Sequence, residues 1–389
     1  MRTVIAPTLK NEDAVQDLVA EISKCVHCGF CNSVCPTYQL TGNELQGPRG
    51  RIYLVKGLLE RDDTNEALED SLSKCLTCRA CEPACPSGVQ YGKIAEEARF
   101  LIYNRPSRRP FLQRMLLKVI PDTTKFRKLY RVGRWFRPFV PSNSLRETLS
   151  RKTSSPTTIT GVKDGKVVLL QGCVQQVLTP EVVAHLAELL ETREIPFRVL
   201  TQERCCGSLN LHLGEKEAAQ NEMKANVSQV RIEWDEVILS SASGCGVTLK
   251  DYDRYLPQVE HASRFARAVR DISEYLAQFE FKKAHKAERV VFQSPCTLQH
   301  GQRISGLVEA ILTRTGYEVI PYRDASQCCG SAGTYSLLQP KQARALRDKK
   351  ISALTDVAPD VVVTANVGCQ LFLEPVLDVP VLHWIELLR

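Results

Sequence analysis

Eight cysteines near the start of the chain fall into two matching runs. Cys25, Cys28, Cys31 and Cys35 are followed by Pro36, and Cys75, Cys78, Cys81 and Cys85 by Pro86. Both read C-x2-C-x2-C-x3-C-P, a spacing that ligates [4Fe–4S] clusters in pairs. A short loop sets three thiolates around three corners of a cube, and the fourth cysteine leaves on the departing segment toward the other cluster. The predicted ligand sets are therefore crossed: Cys25, Cys28, Cys31 with Cys85, and Cys75, Cys78, Cys81 with Cys35. The proline fixes φ at about −65° and turns the chain away. Zinc would accept C-x2-C pairs, but it gives no reason for a third in-loop cysteine, the x3 spacing or the proline. The chemistry is one-electron transfer. Lys74 and Arg79 flank the second run, where positive charge would raise a cluster's potential; solvated surface charge is the alternative.

The other eight cysteines form two sets, Cys173, Cys205, Cys206, Cys245 and Cys296, Cys328, Cys329, Cys369. They are offset by 123, 123, 123 and 124 residues, and Cys-Cys-Gly-Ser and Gly-Cys recur at matching places. That register marks a tandem repeat. Four thiols brought to one point could hold an iron–sulfur cluster or zinc, or act as a redox-active set. Adjacent Cys-Cys side chains diverge, which suits two irons of one cluster better than one ion. His300, four residues after Cys296, could hydrogen-bond a cluster or proton acceptor, and a structural role is the alternative. His27 reads as a surface residue.

These residues must be held by regular elements. Each repeat alternates short Val/Ile/Leu runs with amphipathic helical patterns. The first reads strand 166–170, helix 180–193, strand 197–200, helix 215–234 and strand 236–240. The second reads strand 289–293, helix 304–315, strand 317–321, helix 340–354 and strand 361–365. Such alternation predicts a parallel sheet with helices on its faces, and sites at the strands' carboxyl ends. Between the motifs of the first part, Gly47-Pro48-Arg49-Gly50-Arg51 reads as a turn opening a helix with Ile52, Val55, Leu58 and Leu59 on one face. The fold class is α+β and multidomain: a mainly helical two-[4Fe–4S] domain, then two α/β cysteine-rich repeats with parallel strands.

The chain has 389 residues, 16 of them cysteine, and a net charge of +7. Residues 105–152 hold 14 Lys/Arg and 2 Asp/Glu, so one basic block sits in an otherwise mildly acidic chain. Its ends, Arg105-Pro106-Ser107 and Pro141-Ser142-Asn143-Ser144, read as turns. The expected units are 1–104 (two-cluster domain), 105–160 (basic linker or docking segment), 161–285 and 286–389 (the repeats). Phe111, Leu112, Met115, Leu116 and Val119 would share one helical face in the block, and Phe126, Leu129, Tyr130 and Gly133 another. No apolar run reaches the roughly 18 residues of a spanning helix. The stretch after Arg2 lacks the apolar core of a signal peptide, so the expected compartment is the reducing cytoplasm, where thiols serve metals. There is no G-x-G-x-x-G and no P-loop, hence no nucleotide or flavin signature. Nucleic acid is not expected as a partner.

Seven stretches carry a resemblance that spans almost the whole chain: CVHCGFC (Cys25–Cys31), CPTYQLTGNELQGPRGRIYL (Cys35–Leu54), CLTCRAC (Cys75–Cys81), SGCG (Ser243–Gly246), SPCTLQH (Ser294–His300), CCGSAGTY (Cys328–Tyr335) and TANVGCQ (Thr364–Gln370). The chain resembles the iron–sulfur subunits built on a two-cluster ferredoxin domain and the heterodisulfide-reductase cysteine-rich (CCG) domain. Within that group it is similar to the glycolate oxidase (glycolate dehydrogenase) iron–sulfur subunits. The resemblance implies a complex in which FAD-bearing subunits oxidise glycolate to glyoxylate. This subunit would carry electrons, not the oxidation step, toward a membrane acceptor such as quinone, from the cytoplasmic face of the inner membrane. It implies two [4Fe–4S] clusters. The four cysteines recurring at matched spacing point to a further iron–sulfur or zinc centre in at least one repeat, and His300 is the one catalytic candidate. Heterodisulfide-reductase repeats end in C-x-x-C, but Thr248 and Phe372 stand where the last cysteine would be, which speaks against disulfide reduction. The alternatives are a subunit of a lactate or glycerol 3-phosphate dehydrogenase, or a heterodisulfide-reductase-like enzyme.

Overall fold

The computed structural model describes residues 1–9, 13–103, 109–139, 146, 149–150, 159–162, 165–200, 202–230 and 235–389. Four helices, Asp13–Ser23, Pro48–Arg61, Glu66–Ser73 and Tyr91–Tyr103, form the N-terminal body. Their buried faces, including Leu18, Ile22, Val55, Leu58, Leu72 and Ile94, make its core. Pro48 opens its helix at a position where the missing N–H costs nothing. Asn65 caps the next by accepting from the Leu68 N–H. Gly50 permits the close approach of helix Pro48–Arg61 to the turn before it, because a Cβ there would overlap the Glu44 carbonyl.

Each repeat builds one four-stranded, all-parallel sheet. Strands β1 (Val167–Leu169), β2 (Phe197–Val199), β3 (Val237–Ser240) and β4 (Val269–Asp271) lie in the order β2-β1-β3-β4. Strands β5 (Arg289–Gln293), β6 (Glu318–Val319), β7 (Val361–Thr364) and β8 (Val381–His383) repeat that order. The edge strands β4 and β8 have no counterpart in the sequence reading. They are three residues long, too short to show a period. The helix expected at 304–315 starts at Leu307, because Gly306 with φ 75° breaks it and Thr297–Gly301 forms a π-type turn instead. The helix expected at 215–234 runs Lys216–Ser228, and its last four residues lie outside the described residues.

One hydrophobic core joins the sheets. It includes Leu169, Leu186 and Leu239 of the first repeat with Val290, Val363 and Trp384 of the second. The final residues clasp both. Lys282 and Arg389 exchange backbone hydrogen bonds of 2.8 and 2.9 Å, and the Leu388 carbonyl meets His185 Nε2 at 2.9 Å, 203 residues away in sequence. In the basic block, helices Phe111–Val119 and Thr123–Trp135 are described, whereas both expected turns lie outside the described residues. Tyr130 packs on Leu149, Val177 and Leu178, with Phe126 alongside. Leu129, expected on the same stripe, is exposed, as are Phe111, Val132, Trp135, Phe136 and Phe139. Among the described residues, no helix is long and apolar enough to cross a membrane.

Candidate metal centres

The loops of the two N-terminal motifs have the same backbone shape. His27 and Gly29 take left-handed φ of 61° and 86° in the first, and Thr77 and Arg79 take 53° and 57° in the second. Alternation of this kind turns successive N–H groups toward a concavity suited to an anionic group. Each loop closes over a cavity. The first is lined by Cys25, Cys28, Cys31 and Cys85, with Phe30 and Ile52 among its apolar walls. The second is lined by Cys35, Cys75, Cys78 and Cys81, with Leu76 and Pro48; Cys81 also borders the first. The fourth cysteine of each motif thus lies at the other motif's cavity. Four thiols around an apolar hollow under a nest of N–H groups fit a [4Fe–4S] cluster at each place.

The two cavities differ in surroundings. Around the first, Cys28 is exposed, as are Val26, Phe30 and Tyr53, and His27 lies at the surface in edge contact with Tyr53. Burial pushes the Cys31 thiol up to about 11, and Cys25 adds to it. Beside the second lie two buried guanidiniums. Arg51, 1% exposed, donates to the Ser71 carbonyl (2.9 Å) and Thr37 Oγ1 (3.1 Å) and reaches Cys35 Sγ at 4.0 Å. Arg99 donates to Thr77 Oγ1 (2.9 Å), the Leu72 carbonyl (2.9 Å) and the Cys75 carbonyl (3.0 Å). Burial alone would raise the Cys75 thiol, but Arg51 and Arg99 hold it below its usual range. These two, not the flanking pair, supply the local positive charge. Lys74 is spent on Asp70 at 2.6 Å. Arg79 borders the cavity but pairs with Asp251 at 3.1 Å and Glu96 at 3.7 Å. The sequence holds a signal for both missed residues: Arg51 shares the apolar face of Val55 and Leu58, and Arg99 that of Ala95 and Ile102. An arginine on a buried stripe needs an internal partner.

In each repeat the four thiols form a row. Cys173 meets Cys205, Cys205 meets Cys206, and Cys206 meets Cys245. Cys296 Sγ lies 3.8 Å from Cys328 Sγ, Cys328 meets Cys329, and Cys329 meets Cys369. Cys173 follows β1, Cys296 follows β5, and Cys245 and Cys369 sit on helices Ser243–Lys250 and Val367–Leu373 just after β3 and β7. All therefore gather at the strands' carboxyl ends. Among the described residues, no three or more His, Cys, Asp or Glu side chains are grouped to hold a single metal ion, and a row suits a multi-iron centre better. His300 Nε2 lies 3.0 Å from the Ser326 carbonyl, a tether for the loop leading into Cys328.

The N-terminal body meets the repeats along two seams. Toward the first repeat the contacts are ionic. Glu96, 4% exposed, accepts from Tyr255 Oη at 2.6 Å and pairs with Arg254 at 3.4 Å, and Lys216 pairs with Glu97 at 2.8 Å. Toward the second they are neutral: Gln327 to Gln39 (2.7 Å), Gln342 to Gln46 (2.9 Å) and Gln339 to Ser73 (3.1 Å). Beneath these, Leu76, Cys78, Cys296, Cys328, Tyr335 and Phe372 share one apolar cluster.

Residues 21–89 match the 4Fe-4S dicluster domain family, and residues 167–250 and 290–374 match the cysteine-rich domain family. The chain is 36% identical to the glycolate oxidase iron-sulfur subunit of Escherichia coli (strain K12), over 100% of this chain and 98% of that one. It is 30% identical to a protein of Bacillus subtilis (strain 168) named "probable glycolate oxidase iron-sulfur subunit", over 90% and 88%. Among solved structures, a hypothetical protein from Helicobacter pylori aligns over 96% of this chain and 71% of that one, with a TM-score of 0.51 at 12% identity, a likeness of fold. The chain belongs to the glycolate oxidase iron–sulfur subunit family, and it is an iron–sulfur electron-transfer subunit of an oxidoreductase complex.

Proposed function

We propose that this subunit serves a complex that oxidises glycolate to glyoxylate, taking electrons from an FAD-bearing partner subunit and delivering them toward a membrane acceptor such as quinone. Cys25, Cys28, Cys31 and Cys85 would hold one cluster, and Cys75, Cys78, Cys81 and Cys35 the other. When bound, these clusters supply reversible one-electron transfer. At least one repeat holds a further iron–sulfur or zinc centre through its four cysteines. Residues 1–104, 105–160, 161–285 and 286–389 are the working units.

The carrying observation is the unlike placement of the two cavities. The first opens at a surface where Cys28, Val26, Phe30 and Tyr53 are exposed, which suits docking of a redox partner. Behind the second, Leu76 and Cys78 of its lining share an apolar cluster with Cys296 and Cys328 of the second repeat, and the charges of Arg51 and Arg99 beside it stabilise added negative charge. Electrons enter at the first and move inward.

The basic helices supply peripheral attachment to the cytoplasmic membrane face. Trp135 and Phe139, 88% and 82% exposed, suit the headgroup layer, and each Lys/Arg held at an anionic surface contributes about 1 kcal/mol. One experiment tests both parts. Tagged chain purified anaerobically from its host should bring a flavoprotein with it, reduce a dye with glycolate only in that company, and sediment with anionic vesicles. Changing Arg127, Lys128, Arg131 and Arg134 to Glu should release the assembled complex from the vesicles. Glycolate oxidation by the chain alone, or vesicle binding that survives charge reversal at low salt, would refute the corresponding part.

A further inference from the structure

The two thiol rows stand in different electrostatic surroundings. In the second repeat, the segment entering Cys328 is braced by Lys350 from helix Pro340–Thr355. Lys350 is 2% exposed, and its ammonium donates to the Asp324 carbonyl (2.7 Å) and the Ala325 carbonyl (3.2 Å). Its helix packs Ile351 and Leu354 in one cluster with Cys329 and Cys369; burial pushes the Lys350 ammonium below its ordinary value, and the charges of Cys329, Cys328 and Cys369 act against that shift. The 124-residue offset relating Cys245 to Cys369 pairs Lys350 with Asn226. The Asn226 amide braces the same segment of the first repeat, donating to the Arg204 and Cys205 carbonyls at 3.2 Å each, and carries no charge. The titratable group beside the first row is an acid instead. The half-buried Glu203 accepts from the Gln171 and Gly172 N–H groups at 2.6 and 3.0 Å, and burial raises its carboxyl to about 7, so it offers no positive charge in either form. Ser326 occupies its place in the second repeat.

The rows also differ in what they touch. Cys296 and Cys328 share an apolar cluster with Leu76 and Cys78 of the second N-terminal motif. Cys173, Cys205 and Cys206 pack in a cluster made only of first-repeat residues.

We infer that Lys350 makes the second repeat the electron-accepting one: its buried charge stabilises the reduced form of the centre held by Cys296, Cys328, Cys329 and Cys369. This rests on the reading that the second repeat holds a redox-active metal centre. One electron leaves the site of the second motif, which is oxidised by one, and the second-repeat centre is reduced by one. The added negative charge is offset by the ammonium already in place, and no proton need enter the apolar seam. Lys350 acts through the centre's ligands and is a positioning residue.

The test is an EPR-monitored redox titration of the assembled complex carrying Lys350→Gln, which keeps a donor for the two carbonyls, and Lys350→Arg, which keeps the charge. A Cys369→Ser variant assigns the second-repeat signal and its iron content. Lys350→Gln should lower the potential of that signal by at least a tenfold change in redox equilibrium, 59 mV for a one-electron couple, with both N-terminal signals unmoved. Lys350→Arg should restore it. If Lys350→Gln does not fold, Lys350→Met carries the same expectation. An unmoved second-repeat potential, or an equal shift in the Gln and Arg variants, overturns the role of Lys350 and leaves the metal centre standing. Iron unchanged in Cys369→Ser, with no redox signal lost, overturns the metal centre and this inference together.

Discussion

The two cysteine-rich repeats share a strand order, a row of four thiols and a site at the strands' carboxyl ends, yet they face the N-terminal body in opposite ways. The first meets it through ions: Arg79 with Asp251, Glu96 with Arg254 and Tyr255, Glu97 with Lys216. The second meets it through glutamine amides over an apolar floor. A duplicated unit has kept its frame and diverged at its faces. Buried ion pairs fix orientation while adding little net stability. An apolar floor excludes water and lets sulfurs of two domains approach. The first seam aligns the body, and the second brings thiols of the second motif and the second repeat into one apolar cluster.

Three perturbations would break or sharpen that contrast. The largest effect is expected from Cys35→Ala. Cys35 lies on the first motif but lines the second cavity, so the cluster nearest the second repeat should be lost while the exposed one persists. EPR showing the reverse loss would undo both the crossed ligation and the link between cavity and seam. Next, Glu96→Ala removes the buried carboxylate shared by Arg254, Tyr255 and Arg79, leaving Arg79 with Asp251, and should cost about 3–5 kcal/mol in denaturant unfolding. A cost within the error of the measurement would mean the ionic seam does not align the body.

The smallest effect is acid sensitivity. Burial drives the His212 imidazole down to about 4, so it stays neutral in the folded chain while the unfolded chain protonates from about 6.5. The folded state then binds fewer protons, and stability falls by about 1.4 kcal/mol per unit as pH drops from 6.5 to 4. Burial alone would raise Glu96, but Arg79 and Arg254 hold it below the usual carboxylate range. Its contribution is complete above the ordinary carboxylate value and is lost as pH falls through the depressed one. Both groups adjoin the first seam. Hydrogen exchange, corrected for intrinsic rate, should therefore rise between pH 7 and 5 in Ser208–His212 before Pro340–Thr355. A uniform rise would erase the distinction.

Much of this was legible in the sequence, because cysteine spacing and repeat register are local and arithmetical. The eight N-terminal cysteines line two cavities, with Cys85 at the first and Cys35 at the second. Strands β1–β3 and β5–β7 fall within a residue or two of their Val/Ile runs, β6 being shorter. What escaped was set by tertiary contact. Lys350 sits in a helix rich in charge, KQARALRDKK, where only its place on the face of Ala343, Leu346 and Leu354 marks it as the lysine that turns inward. For charge near the second motif the sequence offers Lys74 and Arg79, or solvent for both, whereas the buried guanidiniums beside it are Arg51 and Arg99, a turn or more into separate helices. The basic block was half readable. Its aromatic content was plain, but which side of Thr123–Trp135 would be covered depended on Val177 and Leu178, some 50 residues away.

The clasp formed by the last residues has a consequence for how the chain comes to be folded. Leu388 and Trp384 complete a core whose other half, around His185 and Leu186, has left the ribosome about 200 residues earlier. Until then the first repeat must wait with Leu169 and Leu239 incompletely covered. Closure over that separation is entropically slow. The first repeat's four thiols are complete once Cys245 is made, whereas the second repeat's wait for Cys369, 124 residues later.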